Sequence, residues 1–195
     1  MARIASFLTP AFLILFLTTA VAQEEPTFRF DLFELPHGEE GNHVQSIAQD
    51  SFGFIWFGSR HGLHRWDGYQ FKTYVFKPYD ANSLSSNYIE YIYVARDGSL
   101  WIGAWGGGLS HFNPKTEVFT RYKHIPENPA SLSNDFVSEI LEDRQGYLWV
   151  ATLQGLNRLD RTTGQFRRFV HDPYNPFSLC YDKCRTLYLD SDGVL

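Results

Sequence analysis

The side chains of this sequence that could do chemistry begin with two closely spaced cysteines, Cys180 and Cys184. In an oxidising compartment such a pair can form a local disulfide, and two free thiols are an equally open interpretation. A lone C-x3-C pair with no histidine pair beside it is a poor metal site. We therefore expect no metal ligands in this chain and no cofactor.

Acidic side chains could instead catalyse hydrolysis, and one segment resembles a motif that is found in hydrolases. The spacing Asp143-x-x-Gly146-x-x-Trp149 is close to the Asp-box of sialidase-type propellers, with one extra residue. That box is a structural turn, whereas a glycosidase needs paired carboxylates, or a tyrosine nucleophile with its base, at a fixed separation. The Asp and Glu residues here fall mainly at turns, and Gly-x-Ser-x-Gly is absent. We expect no catalytic residue and no enzyme in this chain, with a sialidase-like glycoside hydrolase fragment kept as an alternative.

A repeated tryptophan motif predicts the β-strands that must position any functional side chain. Trp56, Trp101 and Trp149 each stand between two apolar residues, at spacings of 45 and 48 residues. A Gly-Leu pair follows each motif in register, with its glycine at Gly62, Gly108 and Gly155. A period in this range is typical of one four-stranded propeller blade per repeat. We expect the three tryptophans to lie in the core and the three glycines to be structural.

The third repeat shows how each unit divides into strands. Its predicted strands are Val137–Leu141, Tyr147–Thr152, Leu156–Leu159 and Gln165–Val170. Short strands joined by turns rich in Gly and Asp predict a series of antiparallel hairpins. The sequence therefore predicts an all-β chain of four-stranded antiparallel propeller blades. Aromatic residues, which make up 17% of the chain, are expected to pack between the sheets.

About three complete blades and the start of a fourth are expected, and these form an incomplete ring. The repeats occupy about 44–76, 87–124 and 135–171, with a partial unit at 182–195. Leu195 stands one position before the expected fourth tryptophan. Propellers usually close with four to eight blades, and an unclosed series leaves an exposed sheet edge. We therefore expect this sequence to be a truncated piece of a longer protein.

Residues 1–22 are predicted to be a secretory signal peptide. Arg3 precedes the apolar stretch Phe7–Ala20, and Ala20-Val21-Ala22 fits the small-x-small cleavage pattern. An uncleaved membrane anchor is the alternative, although the apolar run is short for a full span. Residues 23–43 form an N-terminal segment in which Thr27–Phe30 is a candidate closing strand. The formal net charge of −5 and the lack of a basic run argue against a nucleic-acid partner.

The complete repeat resembles the two-component regulator propeller family. The shared pattern is Asp-x-x-Gly-x-Leu/Ile-Trp, then Gly-Leu, then a strand with Phe-x-x-Tyr/Phe, and the linking phrase Asn82–Asn87 fits as well. Two positions depart from the pattern. Ala151 replaces a glycine, and Asp97 directly precedes its turn glycine where Asp50 and Asp143 precede theirs by three. The family builds periplasmic β-propeller sensor domains, commonly ahead of a membrane helix and a histidine kinase, which is often a hybrid kinase.

The resemblance implies a function and a location for the chain. It implies a fragment of an extracytoplasmic ligand-sensing domain, exported by the signal peptide, whose parent receptor is anchored in the inner membrane. Because many relatives sense carbohydrates, the implied ligand is an oligosaccharide or another small molecule. The implied partners are the remaining blades, the C-terminal signalling domains and a second copy of the parent. A protein–protein interaction scaffold is the alternative, since fold alone does not decide function.

Residues that do not repeat are the better candidates for recognition. The loops after the second strands should lie at one end, together with the long connectors Lys77–Asn87 and His124–Asp135. At that end Trp105 stands beside three glycines, which predicts an uncrowded indole suited to stacking on a sugar. Packing of Trp105 under the neighbouring connector is the alternative. Arg60 and His61 are predicted either to supply polar contacts there or to be solvated loop residues.

Overall fold

The structure is a computed structural model, and it describes residues 32, 34–36 and 43–195. The chain divides into two compact units, Met1–Leu32 and Phe33–Leu195, and the account below concerns the second. The predicted signal peptide and the candidate closing strand lie outside the described residues. Across the described ranges, no helix has the length and apolar character that a membrane crossing requires.

Three four-stranded antiparallel sheets form the described fold, and each is a meander in chain order. Blade 1 contains β1 (Val44–Gln49), β2 (Ile55–Ser59), β3 (Gly62–Trp66) and β4 (Phe71–Tyr74). Blade 2 contains β5 (Ile89–Val94), β6 (Leu100–Ala104), β7 (Gly108–Asn113) and β8 (Val118–Tyr122). Blade 3 contains β9 (Val137–Glu142), β10 (Leu148–Thr152), β11 (Gly155–Asp160) and β12 (Gln165–Phe169). The predicted all-β blade architecture is confirmed, and the three sheets do not close into a ring.

The blades converge at their first strands, because β1 contacts β5 and β5 contacts β9. Between neighbouring blades lie two clusters of buried apolar side chains. In the first cluster Trp56 and Phe112 meet edge to face, with ring centroids 5.4 Å apart. Trp101 and Leu148 belong to the second cluster. Burial of these aromatic and branched side chains is the main favourable contribution to the stacking of one blade on the next.

A buried aspartate fixes the turn between the first two strands in blades 1 and 3. Asp50 Oδ1 accepts hydrogen bonds from the backbone N–H groups of Phe52 and Phe54, at 2.9 and 3.1 Å. Asp50 Oδ2 accepts one from Trp56 Nε1 at 2.8 Å. Asp143 accepts the equivalent bond from Trp149 Nε1 at 2.7 Å. The carboxylate thus joins the turn to the tryptophan of the repeated motif.

The glycine of each Gly-Leu pair opens the third strand of its blade at a point where no side chain fits. Gly108 has φ +75°, and a Cβ there would lie 2.5 Å from Tyr122 O and 3.0 Å from Asp135 Oδ1. At Gly62 and Gly155 a Cβ would lie 2.5 and 2.7 Å from a carbonyl oxygen of the fourth strand. Two independent restrictions, the positive φ and the close carbonyl, therefore select glycine at this position.

A second set of small residues lets neighbouring blades approach each other. A Cβ at Gly58 would lie 2.7 Å from Ile89 Cγ2 of blade 2. Blade 3 has Ala151 at the position of Gly58, and Cys184 follows in the place of Ile89. Because cysteine is smaller than isoleucine, the change at Cys184 offsets the extra methyl group of Ala151.

Arginines on the fourth strands hold the connectors between the blades. Arg121 of β8 donates from Nε to Ser83 O at 2.8 Å and from Nη2 to Asp80 O at 2.6 Å. Arg168 of β12 donates from Nε to Ser131 O at 2.8 Å in the next connector. Each of these arginines therefore binds the connector that leads into its own blade.

Residues 170–195 contain no strand, although the sequence predicts the start of a fourth blade at 182–195. The turn of the repeat is present, since Asp190 Oδ1 accepts a hydrogen bond from Val194 N at 2.8 Å. In the described part of the chain, no strand pairs with this segment.

The three repeated tryptophans are not equally buried. Trp56 and Trp101 are 0% and 2% exposed, as expected for core residues. Trp149 is only half-buried, so the prediction that it lies in the core is wrong in this structure. The physical reason is that, in the described part of the chain, no sheet follows blade 3 to cover its outer face.

Both cysteines are free, so the local disulfide that the spacing allows is not present. Cys184 N donates to Thr152 O at 3.0 Å, and Cys184 O accepts a bond from Ser138 Oγ at 2.6 Å. These bonds hold Cys184 against blade 3, whereas Cys180 is exposed. Burial raises the pKa of the Cys184 thiol, which keeps it protonated and unreactive at neutral pH.

Candidate ligand-binding site

The loops after the second strands lie at the same end of the sheets as the C-terminal ends of the connectors between blades. The middle of each connector runs along the fourth strand of the blade that follows, where Phe119 N donates to Asn82 O at 3.0 Å. Trp105 N donates to Tyr88 O at 2.9 Å, and Leu153 N donates to Phe136 O at 3.2 Å. The loop of a blade therefore meets the point where its own first strand begins. We call this the loop end, and the opposite end, which carries the turns after the first and third strands, the turn end.

A row of side chains crosses the loop end from blade 1 to blade 3. It consists of Arg60, Tyr88, Trp105 and Phe136, and we call it the loop-end row. The Arg60 guanidinium carbon lies 5.0 Å from the centre of the Tyr88 ring. The ring centroids of Tyr88 and Trp105 are 6.3 Å apart, and Trp105 meets Phe136 edge to face at 5.0 Å. Cation–π and aromatic contacts thus link the three blades at this end.

The indole of Trp105 is not the uncrowded ring that the neighbouring glycines predict. It packs against Phe136, which directly follows the connector His124–Asp135. An isolated antiparallel bridge also joins the backbones of Trp105 and Phe136. The space that the glycines leave is occupied by Phe136, which lies just after the connector, so the indole is packed on that side. The side chain stays 36% exposed, and part of the indole is therefore accessible to a ligand while its neighbours fix its orientation.

Arg60 and His61 have different surroundings although they are adjacent. Arg60 is exposed and joins the loop-end row through Tyr88. His61 is half-buried, and its backbone N–H donates to Ser59 Oγ at 3.0 Å. Ser59 Oγ is also 2.9 Å from His64 Nε2, within hydrogen-bond distance. The loop that presents Arg60 is therefore fixed to blade 1 by side chains of its own blade.

Comparison with known proteins identifies the repeat. The model of the family described as two component regulator propeller matches residues 38–61, 83–106 and 131–154. The chain carries three two-component regulator propeller repeats. The protein Histidine kinase P4 of Formosa agariphila is 36% identical over 70 residues, which are 36% of this chain and 5% of that kinase.

A solved structure is similar to this chain in both fold and sequence. It is the extracellular domain of the putative hybrid two-component system BT3049 of B. thetaiotaomicron. The two chains are 31% identical, with a TM-score of 0.70, over 78% of this chain and 21% of that one. The repeats described above therefore correspond to about a fifth of that extracellular domain.

Two members of the loop-end row, Tyr88 and Phe136, are not apparent from the sequence as site residues. A signal for them exists in the regulator propeller repeat, because each directly follows the last connector residue, Asn87 or Asp135. That register position directly precedes the first strand of a blade and lies beside the residue that begins the loop after the second strand. An aromatic residue there can therefore contact the recognition loop.

The loop-end row of the regulator propeller repeats offers aromatic surface and one guanidinium group. Small-ligand sites are typically lined by aromatic side chains with a few well-placed polar groups. Among the residues that the structure describes, no group of three or more His, Cys, Asp or Glu side chains is placed to hold a metal ion. The arrangement therefore supports recognition at the loop end by stacking and hydrogen bonding.

Proposed function

We propose that this chain is part of the extracytoplasmic ligand-sensing β-propeller domain of a two-component signalling receptor. The observation that carries the proposal is its likeness, over most of its length, to the extracellular domain of a hybrid two-component system. The histidine kinase relative supports the same class of receptor. In this proposal residues 1–22 export the protein, the repeats lie in the periplasm, and the parent receptor is anchored in the inner membrane.

The partners that we propose follow from that role. Further blades would extend the series that begins with blades 1 to 3, and C-terminal signalling domains would carry the output. The parent receptor would also pair with a second copy of itself. The chain itself would bind a ligand without converting it, because the loop-end row contains no carboxylate and glycoside hydrolysis requires a pair of suitably placed acid and base groups.

The ligand that we propose for the loop-end row is a carbohydrate. The exposed part of the Trp105 indole would stack on the C–H face of a sugar ring, and Arg60 would donate hydrogen bonds to hydroxyl groups. Tyr88 and Phe136 already hold these two side chains in place. Such preorganisation reduces the conformational entropy that is lost when a ligand binds.

Trp105→Ala is expected to weaken glycan binding at least about tenfold, which corresponds to about 1.4 kcal/mol of binding free energy. The measurement is a glycan array followed by calorimetric titration of the best-bound glycan against the chain and its variant. Tyr79→Ala is the matched control, because Tyr79 is an exposed aromatic residue of a connector and lies outside the row. The control should bind like the unchanged chain. Absence of glycan binding, or an equal loss in both variants, would contradict the proposal.

A protein–protein interaction scaffold is the second candidate function. It is favoured by three exposed aromatic side chains in the segments that follow the fourth strands, which are Tyr79, Tyr174 and Phe177. Aromatic side chains are enriched at protein–protein interfaces relative to the rest of the surface. Binding of a protein partner that depends on these three rings and not on Trp105, together with a negative glycan array, would favour this candidate.

A further inference from the structure

At the turn end, blade 2 lacks the buried aspartate that blades 1 and 3 share. Ala95 occupies the position of Asp50 and Asp143. Trp101 Nε1 therefore loses the acceptor that the other two tryptophans have, and it has no hydrogen-bond partner among the described residues. The side chain of Trp101 is 2% exposed, so this is a buried donor left without a partner. A buried N–H without an acceptor is destabilising by about 1–3 kcal/mol and calls for an explanation.

Blade 2 also differs at the neighbouring position on its third strand. His111 lies opposite Trp101 in the ladder, where blade 1 pairs Trp56 with Arg65 and blade 3 has Arg158. The imidazole stacks on Trp101 with ring centroids 4.3 Å apart. His111 Nε2 is buried and likewise has no hydrogen-bond partner in the part of the chain that the structure describes. In blade 2, Ala95 thus replaces the aspartate and His111 replaces the arginine that flank the tryptophan in the other two blades.

These two exchanges coincide with a cleft of about 400 Å³ between blades 2 and 3. We call it the blade 2–3 cleft, and its lining residues are Asp97, Trp101, His111, Tyr122, Gly146, Arg161 and Thr162. The corresponding space between blades 1 and 2 is about 180 Å³, and its lining includes Asp50, Arg65 and Pro114. The larger volume lies within the range of small-ligand pockets, and both unpartnered nitrogens belong to residues that line it.

The charged groups around the cleft determine which net charge a ligand can carry there. Arg161 forms an ion pair with Asp97, and its Nη1 is 3.3 Å from Glu142 Oε1. Burial and the nearby Arg161 lower the pKa of His111, while Asp97 opposes that shift, so the imidazole is neutral at pH 7. Two carboxylates around one guanidinium disfavour an added anion. A cation without an acceptor atom could not accept the Trp101 N–H bond. The cleft therefore suits an uncharged ligand that both accepts and donates hydrogen bonds.

We propose that the blade 2–3 cleft is a binding site for a small uncharged polyhydroxylated molecule, in which one oxygen accepts the Trp101 Nε1–H bond and another hydroxyl donates to Asp97. The ligand oxygen takes the place of the aspartate carboxylate of blades 1 and 3. His111 Nε2 offers a second hydrogen bond to the same molecule, and the half-buried ring of Tyr122 supplies apolar surface. This site is at the end opposite the loop-end row and does not depend on the function proposed for that row.

The test uses proton–nitrogen NMR spectra of the 195-residue chain, in which the indole N–H signal of Trp101 is assigned with the variant Trp101→Phe. The probes are myo-inositol, glucose and glycerol as uncharged polyols, and acetate as an anion. At least one polyol is expected to shift the Trp101 signal in a saturable manner, with the Trp149 signal unchanged. Acetate is expected to leave both signals in place.

The deciding variant is Ala95→Asp, which restores the carboxylate of blades 1 and 3. It is expected to fold, because Asp50 and Asp143 occupy the same position, and to weaken polyol binding at least tenfold by bonding Trp101 Nε1 itself. The unshifted indole signals of the other tryptophans report that the fold is retained. The proposal is overturned if no polyol shifts the Trp101 signal, if acetate shifts it and the polyols do not, or if a folded Ala95→Asp chain binds the polyol as well as the unchanged chain.

Discussion

Gly108→Ala is expected to lower the free energy of unfolding by roughly 3 to 5 kcal/mol, or to prevent folding. Alanine at φ +75° is strained, and its methyl group would overlap Tyr122 O and Asp135 Oδ1. Tyr122 belongs to β8 and pairs with Leu109, so its carbonyl cannot retreat without loss of ladder hydrogen bonds. The measurement is urea unfolding followed by far-ultraviolet circular dichroism.

Gly68→Ala is the control for this substitution. Gly68 also has a positive φ, +99°, but apart from its chain neighbours no atom lies within 4 Å of the position that a Cβ would take there. Its alanine variant should therefore carry only the backbone strain, about 1 to 2 kcal/mol. Equal losses for the two variants would show that the carbonyl contact at Gly108 contributes nothing.

Asp50→Ala is expected to lower the free energy of unfolding by about 3 kcal/mol, because three hydrogen-bond donors lose one carboxylate. Two of these donors are the backbone N–H groups of Phe52 and Phe54, and the third is Trp56 Nε1. Trp56 is fully buried, so its indole N–H loses its acceptor inside the packed region between blades 1 and 2. The shift of the urea midpoint, followed by tryptophan fluorescence, measures the loss.

Asp190→Ala is the control that separates the stability contributed by the turn hydrogen bonds from that contributed by the indole hydrogen bond. Asp190 Oδ1 accepts from the backbone N–H groups of Asp192 and Val194 as Asp50 does in its own turn. Among the described residues no indole N–H donates to Asp190, so Asp190→Ala should lower the free energy of unfolding by about 1 kcal/mol or less. A cost for Asp50→Ala no larger than that for Asp190→Ala would mean that the indole bond adds no stability.

The blades were predictable because the pairing within each blade is local in sequence. The register of Trp56, Trp101 and Trp149 locates a strand in every unit, and Gly and Asp turns bound its neighbours. For the last strand of blade 3, the prediction Gln165–Val170 and the observed Gln165–Phe169 differ by one residue. Antiparallel meanders need no information from distant parts of the chain, so one sequence suffices to draw them.

Contacts between blades were not predictable in the same way. Trp105 appears free beside its glycines until the connector of the next blade brings Phe136 against it. The sequence likewise shows that Asp97 is displaced relative to Asp50, but the cleft beside Trp101 depends on Arg161 of blade 3. Burial and cavity volume are properties of two surfaces together, and a repeat pattern describes only one of them.

The hydrogen bonds from the arginines to the connectors determine the direction in which local unfolding spreads along the series of blades. Arg121 and Arg168 each hold the segment that enters their own blade, so that segment loses hydrogen bonds when the outer strand of the following blade detaches. Local opening of one blade would then expose the amide protons of the link before it to exchange with solvent. In a linear array of this kind, neighbour interactions decide how far an opening spreads. Fraying would therefore propagate from a blade toward the N-terminus through its incoming connector.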